Sequence, residues 1–167
     1  MISELLKQAI LRHLGETRYF ISNLTGGRTV ANLFKDNVVE PDQILFEMPA
    51  KDGRSLGQVL LHLIRSLEFY SRGVVTNMWE PLSYSLVDYP TAPEILLLYD
   101  SVVSSITALL NNLTDEMLTQ IVDKFNKTAT KGEILLEMLE HSIHHRGQIS
   151  VYFRVLGIKP PEISYIV

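Results

Sequence analysis

No cysteine occurs among the 167 residues. That absence removes disulfides, thiolate metal ligands and cysteine nucleophiles together, and it fits a reducing cytoplasm, the expected location. A dominant charge of one sign is also missing. The 15 Lys and Arg against 19 Asp and Glu leave a net charge of −4, which gives no electrostatic reason to expect nucleic acid as a partner. No apolar run approaches the roughly 20 residues that cross a bilayer, so no membrane partner is expected. The opening MISELLKQAILRH mixes acidic and basic residues without a cleavage-site pattern, and reads as a helix start, not a secretion signal. There is no Gly-rich phosphate loop, no H-E-x-x-H helix and no G-x-S-x-G elbow. Internal repeats and low-complexity tracts are absent, and strand-type alternation is scarce.

What is present is helical patterning. Hydrophobic residues make up 46% of the chain and charged residues 20%, the balance of a globular protein, and residues 1–167 are expected to form one domain. Leu6, Ile10, His13, Thr17, Phe20 and Leu24 share one face of a first helix over residues 2–24, which Thr25-Gly26-Gly27 ends. Residues 28–54 are irregular, with a short helical turn expected at Thr29 to Leu33 and an extended crossing punctuated by Pro41 and Pro49. Ser55-Leu56-Gly57-Gln58 is a capping box that opens a second helix reaching about Asn77. Its main stripe is Leu56, Leu60, Leu63, Leu67 and Tyr70, with His62 beside it between Val59 and Ser66.

A connector from Pro81 to Pro90 follows. Trp79, Tyr84 and Tyr89 around it either cap the mouth of a bundle or pack on its surface, and surface packing is favoured. Thr91-Ala92-Pro93-Glu94 repeats the capping chemistry with proline in the first turn. The third helix runs to about Asn111, with Ile95, Leu98, Val102, Ser105/Ile106 and Leu109 expected to face inward. Thr114 caps a short turn, and residues 121–130 hold a short hairpin around Asp123 to Asn126. A third capping box, Thr130-Lys131-Gly132-Glu133, starts a last helix that ends near Gly157, before Pro160 and Pro161. Four long amphipathic helices make the fold class all-α, a four-helix bundle. The connection between the first two helices is too long for a simple hairpin.

The last helix carries the unusual chemistry. Ile134, Met138, His141, His145, Gln148 and Tyr152 recur at three and four residues and so share one stripe. His141 and His145 are turned only about 40° apart, one helical pitch along. Two imidazoles thus stand where a bundle helix ordinarily carries leucine. With His62 from the second helix they make a candidate divalent-metal triad. Imidazole suits zinc, nickel, copper or iron, and three neutral ligands leave open positions. On periodicity alone, three satisfied, half-buried histidines are an equal alternative.

His144 falls toward Glu137 and Glu140 and is expected at the surface or behind the ligands. It and Gln148, one turn beyond His145, are the two candidates for a further catalytic role, and no general base is assigned. His13 lies on an inward stripe. It is a less favoured fourth ligand and reads better as a packed core histidine. Arg146 points off the stripe and calls for a carboxylate partner. Gly147, costly in a helix interior, suggests close approach by a neighbouring helix or a ligand.

The stretch HSIHHRGQISVYFRVLGIKPPE, with its H-x-x-x-H-R-G-Q core, resembles the final helix of the DinB/YfiT-like superfamily, and SLGQVLLHLIRS resembles its second helix. The resemblance spans the four-helix plan and is strongest over residues 133–161. It implies an up-down-down-up bundle with a long connection between helices 1 and 2. It further implies a metal triad at His62, His141 and His145 holding nickel or zinc, and frequent homodimers. Some relatives are thiol S-transferases using low-molecular-weight thiols such as bacillithiol or mycothiol, and some are maleylpyruvate isomerases. The expected function is a divalent-metal-dependent thiol transferase or hydrolase acting on a small molecule. The alternative is a non-catalytic metal-binding or dimeric interaction module.

Overall fold

The computed structural model describes residues 1–26, 30–32, 37–49, 51–124 and 127–163. Four long helices dominate: α1 (Ile2–Ser22), α2 (Leu56–Thr76), α3 (Ala92–Leu110) and α5 (Lys131–Val155), with the single-turn α4 (Asp115–Leu118) before the last. All three capping boxes form. Ser55, Thr91 and Thr130 each accept from the backbone N–H three residues on, while Gln58, Glu94 and Glu133 reach back to the cap N–H. Two backbone donors at the start of each of α2, α3 and α5 are thereby satisfied before any tertiary contact. Asn77 ends α2 in the left-handed region at φ 61°. Gly157, at φ 72°, ends α5, and the Ile158 N–H turns back to the Phe153 carbonyl at 2.7 Å, a glycine stop.

Side-chain pairs fix the helix directions. Lys7 meets Asn111 and Tyr99 donates to the Leu14 carbonyl, so α1 and α3 run antiparallel. His13 and Glu16 meet Arg146, and Phe20 packs on Phe153, so α1 and α5 run parallel. Tyr152 donates to the Arg54 carbonyl while Ser71 meets Met138, so α2 and α5 run antiparallel. Counting α1, α2, α3 and α5, the order is up-down-down-up. Each of α1 and α2 packs on both α3 and α5, which places α1 and α2 across the diagonal and explains the long connection between them. That connection holds a small hairpin, β1 (Val30–Asn32) with β2 (Asn37–Val39), and a 3₁₀ helix, Pro41–Phe46.

Several local expectations change. Val30 to Asn32 form a strand, not part of a helical turn; Thr29 and Leu33 lie outside the described residues, as does Gly27. The second hairpin, β3 (Ile121–Lys124) with β4 (Lys127–Thr130), is where the sequence placed it, though Phe125 and Asn126 at its tip lie outside the described residues.

The buried face of α3 is Ile95, Tyr99, Val102, Ile106 and Leu110. Leu98 and Leu109 are only half-buried and Ser105 is exposed. Neighbouring positions are equally apolar, so periodicity did not separate them. Tyr99 wins the inward place because its hydroxyl donates to the Leu14 carbonyl at 2.7 Å, which removes the cost of burying it. Among the described residues α3 is also the one helix long and apolar enough to cross a membrane by length and composition, with mean hydropathy 1.4 over an 18-residue window. This departs from the expectation that no apolar run approaches that length.

On α5, Leu135, Met138, Ser142, His145, Arg146, Ile149, Tyr152 and Phe153 are buried, and Ile134 is half-buried. The helix therefore has two inward faces. One meets α2 and carries the histidines; the other meets α1.

Candidate metal centre

The antiparallel run of α2 against α5 brings three imidazoles together. The Nε2 atom of His141 lies 3.2 Å from Nε2 of His62 and 3.0 Å from Nε2 of His145. One ring nitrogen from each residue falls within 4.8 Å of the others. The rings meet edge to face, with centroids 5.1, 4.9 and 4.4 Å apart. His145 is buried, and His62 and His141 are half-buried. On α2, buried Ser66 turns its hydroxyl to the His62 carbonyl and leaves the neighbouring space to the ring.

The protons do not balance among neutral rings. Nδ1 of His145 lies 2.9 Å from Oε1 of Gln148. An amide oxygen only accepts, so Nδ1 carries the proton and Nε2 presents a lone pair. Nδ1 of His62 faces the Arg65 guanidinium at 3.1 Å. Guanidinium only donates, so here the proton of His62 sits on Nε2. Nε2 of His141 thus faces one lone pair and one N–H and can complement only one of them. Nδ1 of His141 is buried without a partner. A cation facing the three Nε2 atoms would remove the conflict at His141 and His145, and at His62 once its proton passes to Nδ1 and Arg65 turns away. Nitrogens about 2.1 Å from one ion stand about 3.0–3.4 Å apart at angles between octahedral and tetrahedral, and the two spacings to His141, 3.0 and 3.2 Å, fall there. The three-histidine group can hold a metal ion.

The electrostatics favour the ligand form. His62 is pushed down from 6.5 to about 4, first by burial, then by the Arg54 guanidinium and the neighbouring imidazoles. His141 is lowered by burial, then by His145, His144 and Arg54. His145 is lowered by burial, against the upward pull of its bond to Gln148. Neutral imidazole is the form that binds a metal.

A relay runs outward from His145. Gln148 accepts from its Nδ1–H and offers its own amide N–H to the Tyr152 hydroxyl at 3.5 Å. Tyr152 in turn donates to the Arg54 carbonyl at 3.0 Å. The orientation of a candidate ligand is thus tied to the backbone just before α2.

The other histidines stand apart. His13, considered as a fourth ligand, lies on the α1 side of α5 and accepts from Arg146 through Nδ1 at 2.8 Å, with Nε2 3.4 Å from the Thr17 hydroxyl. It is the packed core histidine. Arg146 also bonds Glu16 at 2.5 Å, the carboxylate partner its position called for. His144 is exposed, its ring edge-on to His145 with centroids 5.3 Å apart. It lies outside the three-histidine group. Gly147 is not a close-approach site: it is exposed, and a Cβ there meets nothing within 4 Å. The close approach is at Gly73, whose missing Cβ makes room for the Trp79 ring.

His62 opens onto a cavity of about 430 Å³ lined by Arg54, Gln58, Leu61, Arg65 and residues 84–87. Tyr84 stands in this wall with its hydroxyl bonded to Glu68 and its ring against Tyr89. Trp79 packs on the surface against Phe69 and Gly73. Sequence reasoning passed over Arg65 and Arg54, and it set surface packing ahead of the mouth-capping place for Tyr84 that the cavity wall shows. Arg65 sits three residues after His62, a spacing that puts the two on one face, so its signal was readable. Arg54 lies at the end of an irregular stretch and had none.

The family model described as "DinB family" matches residues 41–167. The uncharacterized protein YjoA of Bacillus subtilis (strain 168) is 23% identical over 145 residues, 85% of this chain and 92% of its own. YizA of the same organism is 30% identical over 90 residues, 52% of this chain and 57% of its own. Among solved structures, the DinB-like YjoA of Bacillus subtilis superposes with a TM-score of 0.73 at 19% identity, over 98% of this chain and 99% of that one. A DinB-like protein from Bacillus cereus ATCC 10987 gives 0.65 at 23% identity, over 89% and 91%.

Proposed function

Because this chain belongs to the DinB family and turns three imidazole nitrogens on one point, we propose that it is a metal-dependent enzyme, a thiol S-transferase or hydrolase acting on a small molecule. The observation that carries the reading is the unbalanced proton count at His62, His141 and His145, beside a cavity that one of the three lines. These residues would hold nickel or zinc. A divalent ion there supplies Lewis acidity, which lowers the pKa of a thiol or water and yields a nucleophile near neutral pH.

The protein's own residues supply orientation. Gln148 holds the His145 tautomer, and Tyr152 holds Gln148 and the Arg54 carbonyl. No carboxylate joins the three-histidine group among the described residues, so a thiol, which needs little help from a base once its pKa is lowered, is the favoured nucleophile. A low-molecular-weight thiol is the proposed substrate, and a homodimer in the cytoplasm the proposed assembly and location.

The test begins with metal analysis of wild type and His145→Ala after loading with zinc or nickel. About one ion per wild-type chain, and little in the variant, supports the triad. Equal content in both removes it. Loaded protein is then assayed with bacillithiol and glutathione against small electrophiles. Metal binding without turnover on any of them favours the alternative, a non-catalytic metal-binding or dimeric interaction module.

A further inference from the structure

The wall of the cavity beside His62 carries charge of one sign. Arg54 and Arg65 both line it, with Gln58 between them in sequence and the start of α2 behind them. Neither arginine enters an ion pair among the described residues, although the other ion pairs engage Arg12, Arg18 and Arg146. Glu68 accepts from Tyr84 and Asp88 from Ser85, and neither carboxylate pairs with Arg54 or Arg65 among the described residues. In a chain with a net charge of −4, two guanidiniums that line one concavity without an ion-pair partner are not explained by folding.

Their positions are also held. Arg65 leans on His62 through one N–H at 3.1 Å, which leaves the remaining guanidinium donors to the cavity. The Arg54 backbone is fixed by the Tyr152 hydroxyl at 3.0 Å, at the positive end of α2. Its guanidinium is exposed at the rim, yet close enough to weigh on all three imidazoles.

We infer that Arg54 and Arg65 form an oxyanion clamp, binding a carboxylate or phosphate group of the substrate and aiming the rest of that molecule at the three histidines. Planar guanidinium forks pair with both groups, in charge-assisted and often bidentate hydrogen bonds. A cavity of about 430 Å³ is of the size that takes a small molecule. Arg65 touches His62, so an anion gripped there lies directly beside the imidazoles. The substrate class is therefore an anionic small molecule whose reacting end is separated from its oxyanion by a short chain. The clamp rests on the proposed metal reading only for what the reacting end meets.

Metal-free, full-length protein is titrated with inorganic phosphate and, separately, with propionate, following the arginine Nε–H resonances by NMR. The expected result is saturable shifts at Arg54 and Arg65 with at least one of the two anions, and the stronger response names the group. Arg54→Gln and Arg65→Gln should each weaken binding about tenfold, the order expected for one charge-assisted contact. Arg154→Gln, outside the cavity, should leave it unchanged. Arg54→Gln alters an exposed side chain and keeps the test available even when Arg65→Gln folds poorly. Absence of saturable shifts with both anions overturns the clamp, as does equal weakening by Arg154→Gln. Because no metal is present, failure of the triad, read from metal content, leaves this result intact.

Discussion

Nδ1 of His145 lies 2.9 Å from Oε1 of Gln148, one turn further along the same helix. That contact decides which nitrogen of His145 carries the proton, and so which one presents a lone pair to His141 and His62. Replacing Gln148 with leucine removes the acceptor without removing any of the three converging nitrogens. Metal affinity should fall about 10–100-fold, measured by competition with a chelating indicator, while Gln148→Glu, which can still accept from Nδ1–H, should retain it. Unchanged affinity in the leucine variant would mean that the orientation of His145 is set by packing alone.

The second inward face of α5 makes a separate prediction. Arg146 is buried between His13 and Glu16, with its side chain 8% exposed, and its partner Glu16 is 21% exposed. Glu16→Ala leaves the guanidinium beside a neutral imidazole and no anion. Stability should drop by about 3 kcal/mol, read by urea denaturation of metal-free protein. Combining it with Arg146→Met should cost less than the sum of the two single changes, because the pair is removed as a unit.

The pH dependence follows from His13. Burial, then the charges of Arg146 and Arg12, push it down from 6.5 to about 4. The folded state therefore favours the neutral ring. Between about pH 4 and 6.5 the unfolded chain binds more protons, so stability rises with pH. The contribution is complete above pH 6.5 and is lost as pH falls toward 4, by about 3 kcal/mol in all. His62 acts in the same direction over the same window in metal-free protein. His13→Asn should therefore flatten the stability profile between pH 4 and 6.5 only in part. A profile identical to wild type would show that His13 is protonated as readily folded as unfolded.

Two glycines separate sharply. A Cβ at Gly73 collides with the Trp79 ring, whereas one at Gly147 meets nothing within 4 Å. Gly73→Ala should cost about 1–3 kcal/mol through overpacking and shift tryptophan fluorescence. Gly147→Ala should stabilise by roughly 0.5–1 kcal/mol, because alanine is the better helix former. Thermal denaturation of both variants checks the pair.

Local chemistry in the sequence was read correctly where it closes within one turn. Ser55, Thr91 and Thr130 announce helix starts because their caps need only a residue three positions on. His141 and His145 announce a shared face for the same reason. The up-down-down-up order came from resemblance, since no single helix encodes its direction relative to another. What escaped was contact across distance. Arg146 needed a carboxylate, but that it is Glu16 depends on α1 running parallel to α5. Tyr99 displaced Leu98 from the core because its hydroxyl reaches the Leu14 carbonyl, 85 positions away. Gly147 looked like a contact because an exposed glycine and a buried one have the same one-letter code. The strand at Val30 to Asn32 is only three residues long, too short for alternation to show.

The hydrogen bond from Arg65 to Nδ1 of His62 also imposes a sequence on how the centre assembles. To present a lone pair from Nε2, His62 must move its proton to the nitrogen that Arg65 now covers, so the guanidinium has to let go first. His145 is already poised by Gln148, and His141 has no partner on its outer nitrogen to surrender. An arriving cation would settle on those two rings and recruit His62 last. In a metal-loaded centre Arg65 would thus be a latch: an anion that drew it aside would ready the third imidazole, so that loading of the ion and arrival of an anionic substrate would help one another.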